Sequence, residues 1–510
     1  MSEYLYGASV QGIQEFIFKT NKLKEVIGAS EVIKSIDKID FKKDYKLNEE
    51  PKIILHAAGN VRLIFDNLED LEQVVKNFPK DMMLKAYGIT ISQAVVEHIN
   101  DYKTDSRELE KRLKIQRNKV SLPLDFHFNI LKQNSRTAIP AIKKDKDEYL
   151  DKATSQKIEA CPKTDENKEL KDIANKKNKI AIIHADGNGL GNIVKDLTKE
   201  DIIKFSKNLG AATKEAYNIA SEGIREIRKV ILGGDDLTII CNANDALTFT
   251  KRFLEAFEEQ TKDIYNKKSL TACAGISYCN EKYPFYYAKD LAEKLCTFAK
   301  KDSKKINKEL PPSSLMFHNI QSSNVESFKK FILDELTIKY KITKEEQNLS
   351  KEILEEKLKK DFEKNFKKDF EKDFEDEFKD EFKDTFEKLD YLLKKRNIQC
   401  DFGPYYLKEQ NSKPMIEIFE NILKDFRKKD APKGRLREWL NDLSFDRDYA
   451  KNQLERINEI SSTKWKSEYL EKLYPELSLN TLIVKKDKVL KTPIYDILQI
   501  LSVEDEKNDI

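Results

Sequence analysis

Apolar and polar positions fall into two blocks of similar order, followed by a long polar remainder. In the first block Tyr4 to Ala8 reads as a short strand. Val10, Ile13, Phe16 and Ile17 then recur at helical spacing and give one apolar face. Gly28 interrupts that pattern, and Ser30 is placed to cap a second short helix. Ile53-Ile54-Leu55 and Val61 to Phe65 predict paired strands across an Ala58-Gly59-Asn60 turn. A helix is expected near Leu71 to Asn77 and a strand near Tyr87 to Val95.

Residues 100–178 are lysine-rich with little sustained period and read as a partly helical connector. A second block opens at Lys179. Ile180-Ala181-Ile182-Ile183 is a buried strand by composition and runs into His184-Ala185-Asp186-Gly187-Asn188-Gly189-Leu190-Gly191. A helix over about Ile202 to Ser221 follows, then a strand from Ile227 to Leu232. Gly233-Gly234-Asp235-Asp236 makes a tight turn into a return strand, Leu237 to Cys241. The block closes with a helix over Ala246 to Lys262, a strand over Leu270 to Tyr278, and a helix opened by Pro284. Both blocks run strand, helix, hairpin, helix, strand, so two related α+β domains are expected, with acidic residues at the turn only in the second.

From about residue 320 the pattern is mostly helical. Phe362, Phe366, Phe370, Phe374, Phe378, Phe382 and Phe386 recur every fourth residue among charged side chains. A step of four overshoots a 3.6-residue turn by about 40°, so these rings spiral around a straight helix. A charged helix with a drifting apolar stripe and a partner-docking helix both fit the tract.

Composition narrows the class. The chain has 510 residues, enough for two to four domains, and 39% of them are apolar, enough for real cores. Charged residues reach 36%, yet the net charge is only +3, so any nucleic-acid surface would have to be local. Cys161, Cys241, Cys273, Cys279, Cys296 and Cys400 form no Cys-x-x-Cys pair, and Cys161 alone cannot make a zinc site. No run approaches the ~20 apolar residues that span a bilayer, and the N-terminus lacks a secretory pattern. A cytoplasmic protein without a membrane partner is expected.

The candidate chemistry lies in the second block. Asp186 ends a buried strand, and Asp235 and Asp236 occupy a hairpin turn. If the two strands are neighbours, three carboxylates meet at one sheet edge. Two divalent ions, Mg2+ or Mn2+, could be held there to activate a hydroxyl and neutralise a leaving pyrophosphate. Gly187, Gly189 and Gly191 could leave backbone N–H groups to cradle phosphate, and Gly233 and Gly234 permit the turn. Lys300, at the end of the last helix, could reach a β- or γ-phosphate. A dinucleotide fold is excluded, because an Asp intervenes after the strand and the glycine spacing differs. His184 shares the face of Asp186 and reads as a packed or second-layer histidine. None of His56, His98, His127 and His318 is followed by Asp, so no His-Asp phosphohydrolase signature is present.

At these residues the chain resembles the large polymerase/cyclase subunit of type III CRISPR–Cas effector complexes. The stretch Gly7 to Ile17, with Gly28-Ala29-Ser30-Glu31, resembles the opening of that family's first palm. Asp186-Gly187-Asn188-Gly189-Leu190-Gly191, Gly233-Gly234-Asp235-Asp236, Ala274-Gly275-Ile276 and Ala299-Lys300 resemble its catalytic second palm. Past about residue 320 the likeness is general only, around Lys433-Gly434-Arg435-Leu436-Arg437.

The resemblance implies an α+β chain of two ferredoxin-like palm domains with a helical C-terminal region. The expected division is 1–110 for a non-catalytic palm, 111–178 for a connector with a degenerate zinc region, 179–320 for the catalytic palm and 321–510 for the helical region, with the Phe insert at about 360–388. It also implies ATP as substrate, cyclic oligoadenylates as products, and guide and target RNA and other effector subunits as partners. Self-association stays open.

The implied catalytic and metal-binding residues are Asp186, Asp235 and Asp236. The implied nucleotide-binding residues are Gly187, Asn188, Gly189, Gly191, Gly233, Gly234, Cys273 and Lys300. Three departures stand out. No His-Asp nuclease pair is present, Asn188 replaces the second acid of the family's Asp-Gly-Asp, and Cys273 stands where a serine near the base is common. Alternatives are a non-catalytic RNA-binding scaffold, a single-palm cyclase such as a diguanylate cyclase, and a template-dependent polymerase. Leu237, where those diguanylate cyclases carry an aromatic, disfavours the second.

Overall fold

A computed structural model describes residues 3–321, except 21, 58, 100, 120–129, 166–168, 225 and 266–267. It also describes residues 336–338 and 397–506, except 401, 411–412, 444–446, 461–467, 475–476 and 487–488. The phenylalanine repeat therefore lies outside the described residues. The chain divides into two compact units, one built mainly from residues 1–323 and one mainly from 324–502.

The first unit opens with strand β1 (Glu3–Gln11), helices α1 (Ile13–Phe18), α2 (Leu23–Ile36) and α3 (Phe41–Asp44), and hairpin β2 (Lys52–Ala57) and β3 (Asn60–Phe65). Helix α4 (Leu68–Lys85), strand β4 (Thr90–His98) and helix α5 (Tyr102–Arg117) follow. The sheet is antiparallel in the order β2-β3-β1-β4. Helix α5 packs across β4 and β1, where Leu109 and Leu113 join a core with Leu5, Ile64 and Val96.

Two local expectations change here. Val10 belongs to β1 rather than to a helix, since pairing with Ile91 continues the strand past it. Gly28 does not interrupt α2 and Ser30 does not cap it. Both lie inside the helix, and a Cβ at Gly28 would sit 1.7 Å from the Lys157 carbonyl oxygen. The glycine marks close approach by another helix, and the Ser30 hydroxyl donates instead to the Val230 carbonyl.

A short hairpin, β5 (Lys143–Asp145) and β6 (Glu148–Leu150), precedes helices α6 (Lys152–Ala160) and α7 (Leu170–Ile173). Next come β7 (Lys179–Gly187), α8 (Leu190–Asp196), α9 (Lys199–Ser221), β8 (Ile227–Gly233), β9 (Asp236–Asn242), α10 (Ala246–Gln260), β10 (Ala272–Asn280), α11 (Phe285–Ile306) and β11 (Ser314–Asn319). The core order is β8-β9-β7-β10, which matches the order β2-β3-β1-β4 of the first sheet strand for strand. Strand β10 then continues to β11 in parallel, through the α11 crossover, and the short strand Tyr405–Tyr406 closes that side. These two outer strands were not anticipated. The two sheets brace each other reciprocally: α2 packs on edge strand β8, and α9 packs on edge strand β2.

The second unit contains helices Ile416–Arg427, Lys433–Asp442, Arg447–Ile460 and Glu468–Leu473, with buried Phe419, Phe426, Trp439 and Leu454. It also holds a small sheet pairing Thr337–Ile338, Ile398–Gln399, Val489–Lys491 and Val484–Lys486, so it is not purely helical. All six cysteines are buried and none is in a disulfide. Among the described residues no helix is long and apolar enough to cross a membrane.

Candidate functional site

The site follows from strand register. Strand β7 pairs with β9 up to Ala185 opposite Leu237, and with β10 at Asp186 opposite Cys273. Strands β8 and β9 close with Gly233 opposite Asp236, leaving Gly234 and Asp235 as a two-residue hairpin loop. Gly234 has φ 59°, a conformation that favours glycine at the first loop position. Its carbonyl accepts from the Thr213 hydroxyl at 2.6 Å, which fixes the turn on α9. The three predicted acids thereby meet at one sheet edge.

Their electrostatics are unusual for carboxylates. Burial raises Asp235 well above the usual range, and a hydrogen bond with Asp186 and that group's charge add to it. Burial, then Asp186, Asp235 and Glu293, push Asp236 up to about 8, with Lys289 opposing. Asp236 Oδ1 is buried without a hydrogen-bond partner, although the side chain as a whole is a third exposed. The His184 imidazole lies 3.4 Å from that oxygen and 3.1 Å from Thr238 Oγ1. Burial lowers His184 to about 4, so it is neutral at pH 7 and supplies no counter-charge.

Lys300 supplies one, with Nζ 2.5 Å from Asp186 Oδ2 and 2.7 Å from the Gly187 carbonyl. It is thus tethered to a carboxylate rather than projecting freely toward a phosphate position. Among the described residues no three His, Cys, Asp or Glu side chains already stand in a metal-binding arrangement. The donor set nevertheless suits hard cations: crowded, desolvated carboxyl oxygens, one of them orphaned, hold protons that a divalent ion would displace.

The remaining predicted residues divide. Gly187 lies beneath the Asp235 side chain, where a Cβ would come within 2.9 Å of Asp235 Cβ. Gly189 caps α8 in the left-handed region, and Gly191 lies in the first turn of that helix, lining the cleft. Asn188 is turned inward. Its amide N–H donates to the Thr271 carbonyl, and its side chain donates to Thr271 Oγ1 and the Pro311 carbonyl. Cys273 is fully buried, with Sγ 3.3 Å from Ser314 Oγ and 3.7 Å from Ser303 Oγ. Both side chains are engaged in packing behind the carboxylate edge.

A cleft of about 750 Å³ opens beside Asp235. One wall carries Arg62, Lys103 and Arg107 from β3 and α5, with Glu110 beside them paired to Arg62, and the other carries Leu190 and Phe205. A groove of about 490 Å³ along β4 contains none of the three acids. Sequence reading missed the basic wall, Lys289 and Glu293. Their spacing is ordinary for helix surfaces, and only packing brings them to the site.

The raised Asp236 carboxyl has a consequence for stability. The unfolded chain releases this proton near pH 4 and the folded chain near pH 8, so between those values the folded state binds more protons. A penalty therefore grows from pH 4 and is complete above about pH 8. Asp236→Asn removes it, and even after discounting for the third of the side chain that is exposed, the metal-free melting temperature at pH 8.5 should rise by at least about 2–4 °C, with a much smaller change at pH 4.5. Equal melting at both pH values would refute the desolvated carboxylate.

An antiparallel sheet flanked by helices, with carboxylates on a strand end and an adjoining hairpin turn, defines the palm class of α+β domain. Residues 179–308 match the family described as Cas10/Cmr2, second palm domain. Solved structures similar to the chain include a Csm1–Csm4 cassette in complex with pppApA, at 14% identity and TM-score 0.42, covering 59% of this chain and 53% of that one. The cassette in complex with AMPPNP is similar at 15% identity and TM-score 0.42, with the same coverage. The Csm1–Csm4 subcomplex of the type III-A CRISPR-Csm interference complex is similar at 14% identity and TM-score 0.40, again over 59% and 53%. The chain thus spans about half the length of the chains it matches. No curated protein matches it.

Proposed function

We propose that this chain is a nucleotidyltransferase that joins ATP into cyclic oligoadenylate messengers for antiviral defence. The observation that carries the reading is the convergence of Asp186, Asp235 and Asp236, two of them desolvated, where Asp235 borders a cleft that also carries Arg62, Lys103 and Arg107. Two divalent ions bound there would make a 3′-hydroxyl nucleophilic and neutralise the departing pyrophosphate. The three carboxylates hold those ions. Lys300 exchanges Asp186 for a phosphate oxygen once the acids are otherwise neutralised. Arg62, Lys103 and Arg107 orient a second triphosphate, and Leu190 and Phe205 exclude water on the opposite wall.

The first domain is read as a non-catalytic palm. Register places Ser9 and Asn60 where the second domain has Asp186 and Asp236, and the two neutral side chains simply bond to each other at 3.0 Å. The proposed division remains 1–110, 111–178, 179–320 and 321–510, with guide and target RNA and further effector subunits as partners in the cytoplasm. Incubation with Mg2+ or Mn2+ and labelled ATP, followed by mass spectrometry, tests the reading. Oligoadenylates are expected. Absence of product with and without target RNA and partner subunits, while the metal still binds, would instead favour a scaffold.

A further inference from the structure

Helix α11 joins the carboxylate edge to the first domain. Its Phe285 ring packs 5.5 Å from Phe18 of α1, and Gly275 of β10 seats its middle turns. Lys300 near its end holds Asp186. One turn into the helix stands Lys289, whose side chain is only 5% exposed. Its ammonium donates to Gln14 Oε1 of α1 at 2.7 Å and pairs with Glu293 Oε1 at 2.5 Å. It also lies 4.9 Å from the centre of the Phe18 ring. An exposed pair at this helical spacing would be worth little, but a buried ammonium with two acceptors and a ring face is held in one place.

We propose that Lys289 is a positioning residue that ties the first domain to the carboxylate edge and keeps Glu293 from acting as a fourth acid there. The inference rests on the metal-site reading above. Both charges reach Asp236, Glu293 adding to the crowding of the acids and Lys289 relieving it. Without the ammonium, Glu293 loses its partner and the edge gains net negative charge. A bound cation is then held more tightly but in an altered donor set, so chemistry slows while metal affinity rises. That split is not what loss of packing alone produces.

The test uses the full chain with Mn2+ as probe, read by metal-induced melting shift and by ATP turnover. Lys289→Met should tighten apparent Mn2+ binding about threefold to tenfold and lower kcat at least tenfold. Lys289→Met/Glu293→Gln should return Mn2+ binding to within twofold of wild type and recover part of kcat. Glu293→Gln, which leaves the ammonium without its carboxylate, should instead weaken apparent Mn2+ binding about threefold to tenfold. Unchanged Mn2+ binding in Lys289→Met, or a double variant no closer to wild type, would overturn the inference. If Lys289→Met does not fold, Glu293→Gln decides it, and wild-type Mn2+ binding there overturns it. A wild type that binds Mn2+ yet makes no product from ATP defeats the proposed reaction alone, and the Mn2+ comparison then still decides the role of Lys289. A wild type with no Mn2+ shift defeats both.

Discussion

Replacing Asp235 and Asp236 together with alanine should leave a folded protein that forms no phosphodiester from ATP. Folding survives because neither carboxylate stabilises the metal-free chain. Both are desolvated and both have raised pKa values, so their ionisation opposes folding. The hairpin also survives, since Gly234 keeps the left-handed position and the Thr213 bond goes to its backbone carbonyl. Activity does not survive. One preorganised electrostatic group is worth about 10²–10³ in rate, so losing two should exceed about 10³-fold and fall below detection. Circular dichroism should match wild type, and the melting temperature at pH 8.5 should be equal or higher. Product at wild-type yield would refute the assignment of these acids.

What the chain discloses before folding is uneven, for physical reasons. The carboxylate edge was legible because a buried apolar run, a Gly-Gly turn and acids beside them are local features whose neighbours in the sheet follow from hairpin geometry. The fate of Lys300 was not, because a lysine at a helix end could equally face solvent, a phosphate or Asp186. Asn188 looked like part of a phosphate loop, yet its bonds go to Thr271 and Pro311, far along the chain. Lys289 and Glu293 have the spacing of an ordinary surface pair, and only Gln14 and Phe18 of α1 enclose the lysine. The strand pairs of the C-terminal unit span two or three residues each, too few for a period of two to show. Gly28 shows the opposite failure. A helix-weakening residue reads as an interruption in the sequence, but the approach of α6 requires it there.

Gly275→Ala should be the most damaging single-methyl change among residues 179–320. An added Cβ would lie 2.0 Å from the Ala292 carbonyl oxygen, 2.6 Å from the Cys296 nitrogen and 2.9 Å from Leu295 Cβ. Two of these atoms are backbone, so no rotamer change relieves the clash, and α11 as a whole must move off β10. Overpacking of a tight interior costs about 1–3 kcal/mol and sometimes more, and a backbone clash belongs at or above the upper end, roughly 3 kcal/mol. The movement also carries Lys300 away from Asp186 and Lys289 away from Gln14, so turnover should fall further than the folded fraction does. Gly210→Ala provides the contrast within the same domain. It lies inside α9 with open space where a Cβ would go, so helix propensity should dominate and stabilise the chain by up to about 1 kcal/mol. Urea denaturation of the two variants should therefore move in opposite directions. If Gly275→Ala denatures at the wild-type midpoint, α11 does not seat against β10 as described, and the link from the first domain to the carboxylates loses its middle support.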